Sequence, residues 1–330
     1  MEFRTRVIIK PSQFKISYRE PVMFIGSCFA SEMGSQMETG EMPVMINPAG
    51  TVFNPVSVCN TLDLITSGRE ISLDDLYNYE GTWLSFNHYT DFSGRDSSRV
   101  LENINRKSRE ALNFLKKAQF LFITFGTARV YRWKKTGTVV SNCHKIPSAN
   151  FDNELLNVDN IVSLWSEQLD KIHSLFPQLK IIFTISPVRH WKDGSYGNQV
   201  SKSVLFLSID KLLQHSIAPQ YFPAYEIVLD ELRDYRFYND DMLHPSSAAI
   251  SYIWEVFSGC YLEKSTIDTW NEVAKISKAR NHRISSDSEA DIKKFAERML
   301  YQISLIENKN SEIDLSSERE YFNGLLKQDS

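Results

Sequence analysis

The chain has 330 residues, enough for one large domain with an appendage or for two domains. Its 42% hydrophobic and 24% charged residues fit a globular protein with a sizeable core. A formal net charge of −4 excludes the basic footprint of a nucleic-acid binder, and no segment approaches the length of a membrane span.

The start, "MEFRTRVIIKPSQFKISYRE", carries charges and no apolar h-region, so no signal peptide is expected. Cys28, Cys59, Cys143 and Cys260 are far apart and form no CxxC pair. They do not read as a disulfide framework, and a reducing cytoplasm is the expected home.

In chain order, the apolar run 22–25 reaches Gly26 and reads as a buried strand, with a helix from 29 to about 37 behind it. A helix is expected over 55–68, with Pro55 in its first turn and Gly68 past its end. The aromatic stretch 71–94 reads as a long functional loop or a small insertion. "SSRVLENINRKSREALNFLKKA" is an amphipathic helix that feeds "QFLFITFG", a central parallel strand. "ARVYRWKKTGTVVSN" alternates around a Lys-Lys-Thr-Gly turn and predicts a hairpin, followed by a helix from about 153 to 176. "LKIIFTISPV" is another buried strand and "NQVSKSVLFLSIDKLLQHS" another helix. "FPAYEIVLDEL" is expected to contain the last strand, before the helix "HPSSAAISYIWEVFSGCYL".

This alternation predicts a doubly wound parallel α/β sheet over residues 1–264. Residues 265–330 read as charged amphipathic helices, an extension that packs as an appendage, lids the site or pairs with another subunit.

Ligands bind at the carboxyl ends of strands in open parallel sheets, so the residues just past each strand are the ones to read. They are Gly26, Ser27 and Cys28; then Asn47, Gly50 and Asn54; then Gly126, Thr127 and Arg129; then Ser186, Arg189 and His190; and lastly Asp240, Asp241 and His244. Cys28 and His244 would make a nucleophile and its base. Asp241, three residues before His244, would orient the imidazole through its other ring nitrogen. Ser27 is the rival nucleophile.

Here the sequence resembles the GSCFA family, grouped with the SGNH or GDSL-like hydrolases. The resemblance runs from Val22 to about Leu262 and rests on "GSCFA" itself, "NPAGTVFNP", "FGTARVY", "SNCHKIP", "TISPVRH" and "LRDYRFYNDDMLHPS". It implies a three-layer α/β/α, flavodoxin-like fold. It puts Cys28 on the nucleophile position, Ser27 on the neighbouring Asp position, and the N–H groups of Cys28 and Gly50 in an oxyanion hole. Gly126 matches the Gly of the third block, while Ala128 stands where an Asn would donate to the oxyanion. Asp241 and His244 match the last block fully.

An Ala side chain donates nothing, and loss of one oxyanion donor costs about 10²–10³ in rate. Asn47, Arg129 and Asn142 are candidate replacements. A thiol near an imidazolium and a helix N-terminus can ionise near neutral pH, and a thioester is attacked by alcohols and amines as well as water. The implied function is therefore acyl-ester hydrolysis or acyl transfer through Cys28. The expected substrate is a small acyl ester or an acylated carbohydrate, with no cofactor and no part for nucleic acid or membrane.

His190 either lines the site or is structural, and Arg189 either binds a substrate carboxylate or phosphate or makes a salt bridge. Cys143, His144 and His88 are candidate pocket residues. His173, His215 and His282 fall on helix patterns and read as surface or packing residues. Two further functions stay open. One is an inactive ligand-binding protein of the same fold, for which Ala128 argues. The other is a metal-dependent hydrolase using Cys28, Cys143, His144, His190 and His244, although no local metal spacing supports it.

Overall fold

The computed structural model describes residues 5–281 and 288–327; His282 lies outside them. "VMFIG" forms β1 (Val22–Gly26), buried along its length, and α1 (Cys28–Thr39) starts one residue later. β2 (Val44–Ile46) precedes α2 (Pro55–Ser67). Asn54 caps α2 by accepting from Ser57 N, and Gly68 ends it at φ 62°. β3 (Tyr77–Tyr79) and β4 (Thr82–Leu84) lead to α3 (Ser97–Leu115), and β5 (Phe120–Phe125) is buried throughout. β6 (Arg129–Trp133), β7 (Val139–Val140) and β8 (Phe151–Leu155) follow. Then come α4 (Val158–Leu175), β9 (Lys180–Ile185), α5 (Gly194–Leu212), β10 (Gln220–Phe222), α6 (Ala224–Glu226) and α7 (Ser247–Tyr261).

The central sheet has the order β10-β9-β5-β1-β2, with β1, β5, β9 and β10 parallel. Gly26 pairs with Thr124, and Thr124 with Thr184, so the middle strands end in line at one carboxyl edge. Gly26 is required there. Its φ is 142°, and a Cβ would stand 2.1 Å from Thr124 O. Gly26→Ala must push β1 from β5, and the expected cost is about 2–3 kcal/mol. Urea denaturation checks this; an unchanged midpoint would mean that the two strands part without resistance.

Of the two alternatives for residues 71–94, the long loop gives way to a small packed hairpin: β3 and β4 pair antiparallel, and Tyr77, Leu84 and Phe86 pack with Trp133, Val140 and Phe151. Two expectations change. The helix expected from 153 begins at Val158, because residues 151–155 pair antiparallel with β6 and Asn157 caps the helix on Asn160 N. The last strand ends on Phe222, the first residue of "FPAYEIVLDEL". That segment is helical, with α6 running into a π turn (Ile227–Glu231), and buries residues 224, 225, 227, 228 and 231 at helical rather than alternating spacing.

The chain divides into two compact units. The first holds β1, β5, β9 and β10 and every candidate site residue. The second is more than the tail beyond 264: it comprises residues 10–20, 35–44 and 254–330. Within it, Ile16 N donates to Tyr261 O at 2.8 Å and Trp270 Nε1 to Gln36 O at 2.8 Å. α8 (Lys264–Asn281), α9 (Glu289–Lys309) and α10 (Ser316–Lys327) pack on one another. α9 buries Ala296, Met299, Ile303 and Ile306 while Tyr301 and Leu305 face water, the one-sided pattern of an amphipathic helix.

Candidate active site

The turn after β1 separates the two rival nucleophiles. Ser27 is 1% exposed, and its hydroxyl is buried with no hydrogen-bond partner among the described residues. Its backbone holds the turn instead: Ser27 N donates to Thr124 O at 3.2 Å, and Ser27 O accepts from Ala30 N at 2.8 Å. Cys28 is half-buried and opens α1. The first peptide N–H groups of a helix have no intrahelical partner and carry partial positive charge. Burial nevertheless pushes the Cys28 thiol up, and Glu32 adds to this. The N–H groups of Phe29 and Cys28 and the Lys202 charge pull the other way. The expectation of a thiol lowered by its surroundings is thus corrected, because loss of hydration outweighs the helix terminus.

Asp241 and His244 sit on one tight turn. Asp241 Oδ1 accepts from Leu243 N and His244 N, each at 2.9 Å, and Oδ2 meets His244 Nδ1 at 2.5 Å. Met242 closes the turn at φ 57°, a conformation costly for a residue with a Cβ. Those two backbone N–H groups and the imidazole hold the Asp241 carboxyl down at about 2. A carboxylate only accepts, so Nδ1 carries the hydrogen, and in the neutral imidazole the lone pair is on Nε2. Among the described residues no hydrogen bond joins Cys28 to His244.

The oxyanion candidates are mostly committed elsewhere. Gly50 sits at φ 81°, and its N–H donates to Asn47 O at 2.7 Å, which closes a turn and withdraws that N–H from a substrate. Asn47 clamps the turn after β1: its Oδ1 accepts from Gly26 N and its Nδ2 donates to Ser31 Oγ, both at 2.8 Å. Gly126 donates to Phe53 O at 2.7 Å. Ala128 is fully buried in the core, so its side chain points away from any oxyanion. Asn142 orders its own loop by accepting from His144 N at 2.7 Å.

Arg129, His190 and Asp193 line a cavity of about 420 Å³ with Phe53, Tyr131 and Asn153. Asp193 lies 3.6 Å from Arg129 Nε and 3.5 Å from His190 Nδ1, ion-pair distances too long for hydrogen bonds. Arg129 Nε, His190 Nδ1 and one Asp193 oxygen are buried without hydrogen-bond partners. Burial pushes His190 down, partly opposed by Asp193. Cys143 and His144 line the same cavity. His144 is structural, since Nε2 donates to Ser85 O at 2.9 Å and Nδ1 accepts from Ser93 Oγ at 3.1 Å. His88 is buried against Ser85, and burial pushes it down to about 4.

A second cleft, of about 560 Å³, joins Arg189 to Asp241 between Trp191, Leu229, Tyr238 and Met242. Among the described residues the Arg189 guanidinium has no ion pair or hydrogen bond. Also among them, no group of three or more His, Cys, Asp or Glu side chains is placed to hold a metal ion.

The sequence reading missed Lys202. It is fully buried, and its Nζ donates to Gly126 O at 2.8 Å and Ser186 O at 2.6 Å. The signal was present in α5, where Asn198, Ser201, Lys202, Leu205 and Ile209 share the buried helical face. A Lys in phase with an apolar stripe needs a partner.

The fold is that of an α/β protein with a central parallel sheet, with a nucleophile candidate just past its first strand and an Asp–His pair on a turn that follows its last. The model of the GSCFA family matches residues 21–257, and the chain belongs to the GSCFA family. No curated protein matches it. A solved structure from Streptococcus pneumonia, described as that of "a putative platelet activating factor", is 12% identical and covers 72% of this chain and 84% of its own, with a TM-score of 0.36. At that score the likeness carries no argument.

Proposed function

We propose that the protein is an SGNH-like acyl-transfer enzyme, an esterase or acyltransferase, in which Cys28 forms a thioester. The sheet order supports the flavodoxin-like part of this reading, since β2-β1-β5-β9-β10 is the 2-1-3-4-5 order of such doubly wound sheets. The observation that carries the chemistry is the 2.5 Å contact from Asp241 to His244 Nδ1, which leaves Nε2 as a proton acceptor. The N–H groups of Cys28 and Phe29 at the start of α1 receive the oxyanion. Cys28 is preferred to Ser27 because its side chain is the accessible one of the pair.

The substrate is a small acyl ester or an acylated carbohydrate. The cavity at Arg129 and His190 offers buried polar groups beside Phe53 and Tyr131, a combination that suits a polyhydroxylated molecule. The test is to trap the intermediate. Brief incubation with an activated short-chain ester, followed by acid quench and peptide mass spectrometry, is expected to show the acyl mass on Cys28. Acylation on Ser27 would move the nucleophile by one residue, and no acylation would leave the site to binding alone.

A further inference from the structure

Unpaired buried polar atoms are not spread evenly through this fold. Among the described residues seven such side-chain atoms occur, and four of them belong to residues that line the cavity at Arg129: Arg129 Nε, Ser141 Oγ, His190 Nδ1 and Asp193 Oδ2. Burying a donor or acceptor without a partner is costly, so a cluster of them at one cavity marks a place built for a ligand. The four come from the start of β6, the loop after β7 and the segment after β9.

Asp193, with a side chain only 9% exposed, is the centre of the cluster. Its Oδ1 lies 3.6 Å from Arg129 Nε and its Oδ2 3.5 Å from His190 Nδ1. Both gaps exceed hydrogen-bond length, so one carboxylate stands between two nitrogens without closing on either. The parts are held in place. Arg129 Nη1 donates to Asn153 Oδ1 at 2.7 Å, His190 N to Asn198 Oδ1 at 2.9 Å, and Asp193 N to His190 O at 3.1 Å.

The charges select the ligand. A carboxylate or phosphate would accept from Arg129 but bring a second negative charge against Asp193. An ammonium would donate to Asp193 but face the Arg129 guanidinium, with Lys145 and Lys192 lining the same cavity. A hydroxyl satisfies both sides, since it accepts and donates at one oxygen. Two hydroxyls on neighbouring ring carbons match the two oxygens of one carboxylate, and each bridges one of the two gaps. Phe53 and Tyr131 also line the cavity, and aromatic faces receive the C–H face of a sugar ring. Ser141 Oγ is left for a third hydroxyl.

We infer that this cluster is a subsite for a neutral sugar ring, in which Asp193 accepts from two adjacent hydroxyls while Arg129 and His190 donate to them. The inference deepens the acyl-transfer reading and rests on it only in making that sugar the alcohol part of the ester; the binding itself needs no reaction.

NMR and calorimetric titration of the full chain with D-glucose, D-galactose, D-mannose, acetate and inorganic phosphate tests this. At least one of the three sugars should bind saturably, and more tightly than acetate or phosphate. Asp193→Asn replaces an accepting oxygen with a donating amide and removes the charge. It should weaken that sugar by about tenfold or more and admit acetate or phosphate beside Arg129. Arg129→Lys keeps the charge but loses the Nε–H, and should weaken the sugar by about tenfold. It keeps the test open if Asp193→Asn does not fold.

No saturable binding of any of the three sugars, tighter binding of acetate or phosphate to the native chain, or unchanged sugar affinity in every variant that folds would overturn the assignment. Failure of the acyl-transfer reading looks different: the sugar would bind while no acyl mass appears on Cys28.

Discussion

Cys28→Ala is expected to lower turnover of an activated short-chain ester or thioester by about 10⁴-fold or more, the scale of losing a covalent nucleophile. Cys28→Ser keeps the turn but replaces the thiol with a hydroxyl of far higher pKa, so turnover falls steeply there too. Ser27→Ala should do almost nothing. The hydroxyl it removes is 1% exposed and makes no hydrogen bond among the described residues. A buried unpaired hydroxyl is a burden, so thermal stability should hold or rise slightly. The deciding comparison is kcat for the three variants. A dead Ser27→Ala beside an active Cys28→Ala would reverse the roles, and three active variants would make this fold a binding scaffold.

Asp241→Asn should cost on the order of 10²–10⁴ in kcat while the protein stays folded. Asn still accepts from Leu243 N and His244 N through its carbonyl oxygen, so the turn survives. Its amide, however, donates where the carboxylate accepted. His244 must then accept on Nδ1 and carry its hydrogen on Nε2, which removes the proton acceptor. In the native protein the carboxylate persists across the working range. Its pKa is held at about 2, so its contribution is lost only as the pH falls toward that value. Full turnover by the Asn variant would remove this pair from the chemistry.

Legibility followed burial and turn chemistry. β1, β5 and β9 were readable because strands buried on both faces are continuously apolar, and α2 because Asn54, Pro55 and Gly68 mark its ends. The Asp241–His244 contact was readable because three residues suffice to bring those groups together. "FPAYEIVLDEL" misled because a short apolar run does not separate a buried helix from a strand. β8 was missed because "FDNEL" owes its pairing to β6 rather than to its own composition. Gly50 and Asn47 look like substrate donors in sequence, yet their bonds to the local backbone and to Ser31 depend on how the loop closes. Ala128 reads as a lost donor, whereas in the fold it is a core residue. Lys202 escaped because the two carbonyls that solvate it come from strands far away in the chain.

Those two carbonyls also bear on redesign. One amine on α5 draws together the ends of β5 and β9, so this floor of the carboxyl edge is set by a helix and two strands. The cavity walls come from other segments: residues 140–153 line one cavity and residues 228–243 the other. Floor and walls are thus separable parts. On the acyl-transfer function proposed above, the wall segments are the place to recruit a different acyl group or acceptor, with the α5 amine and its two carbonyls left untouched.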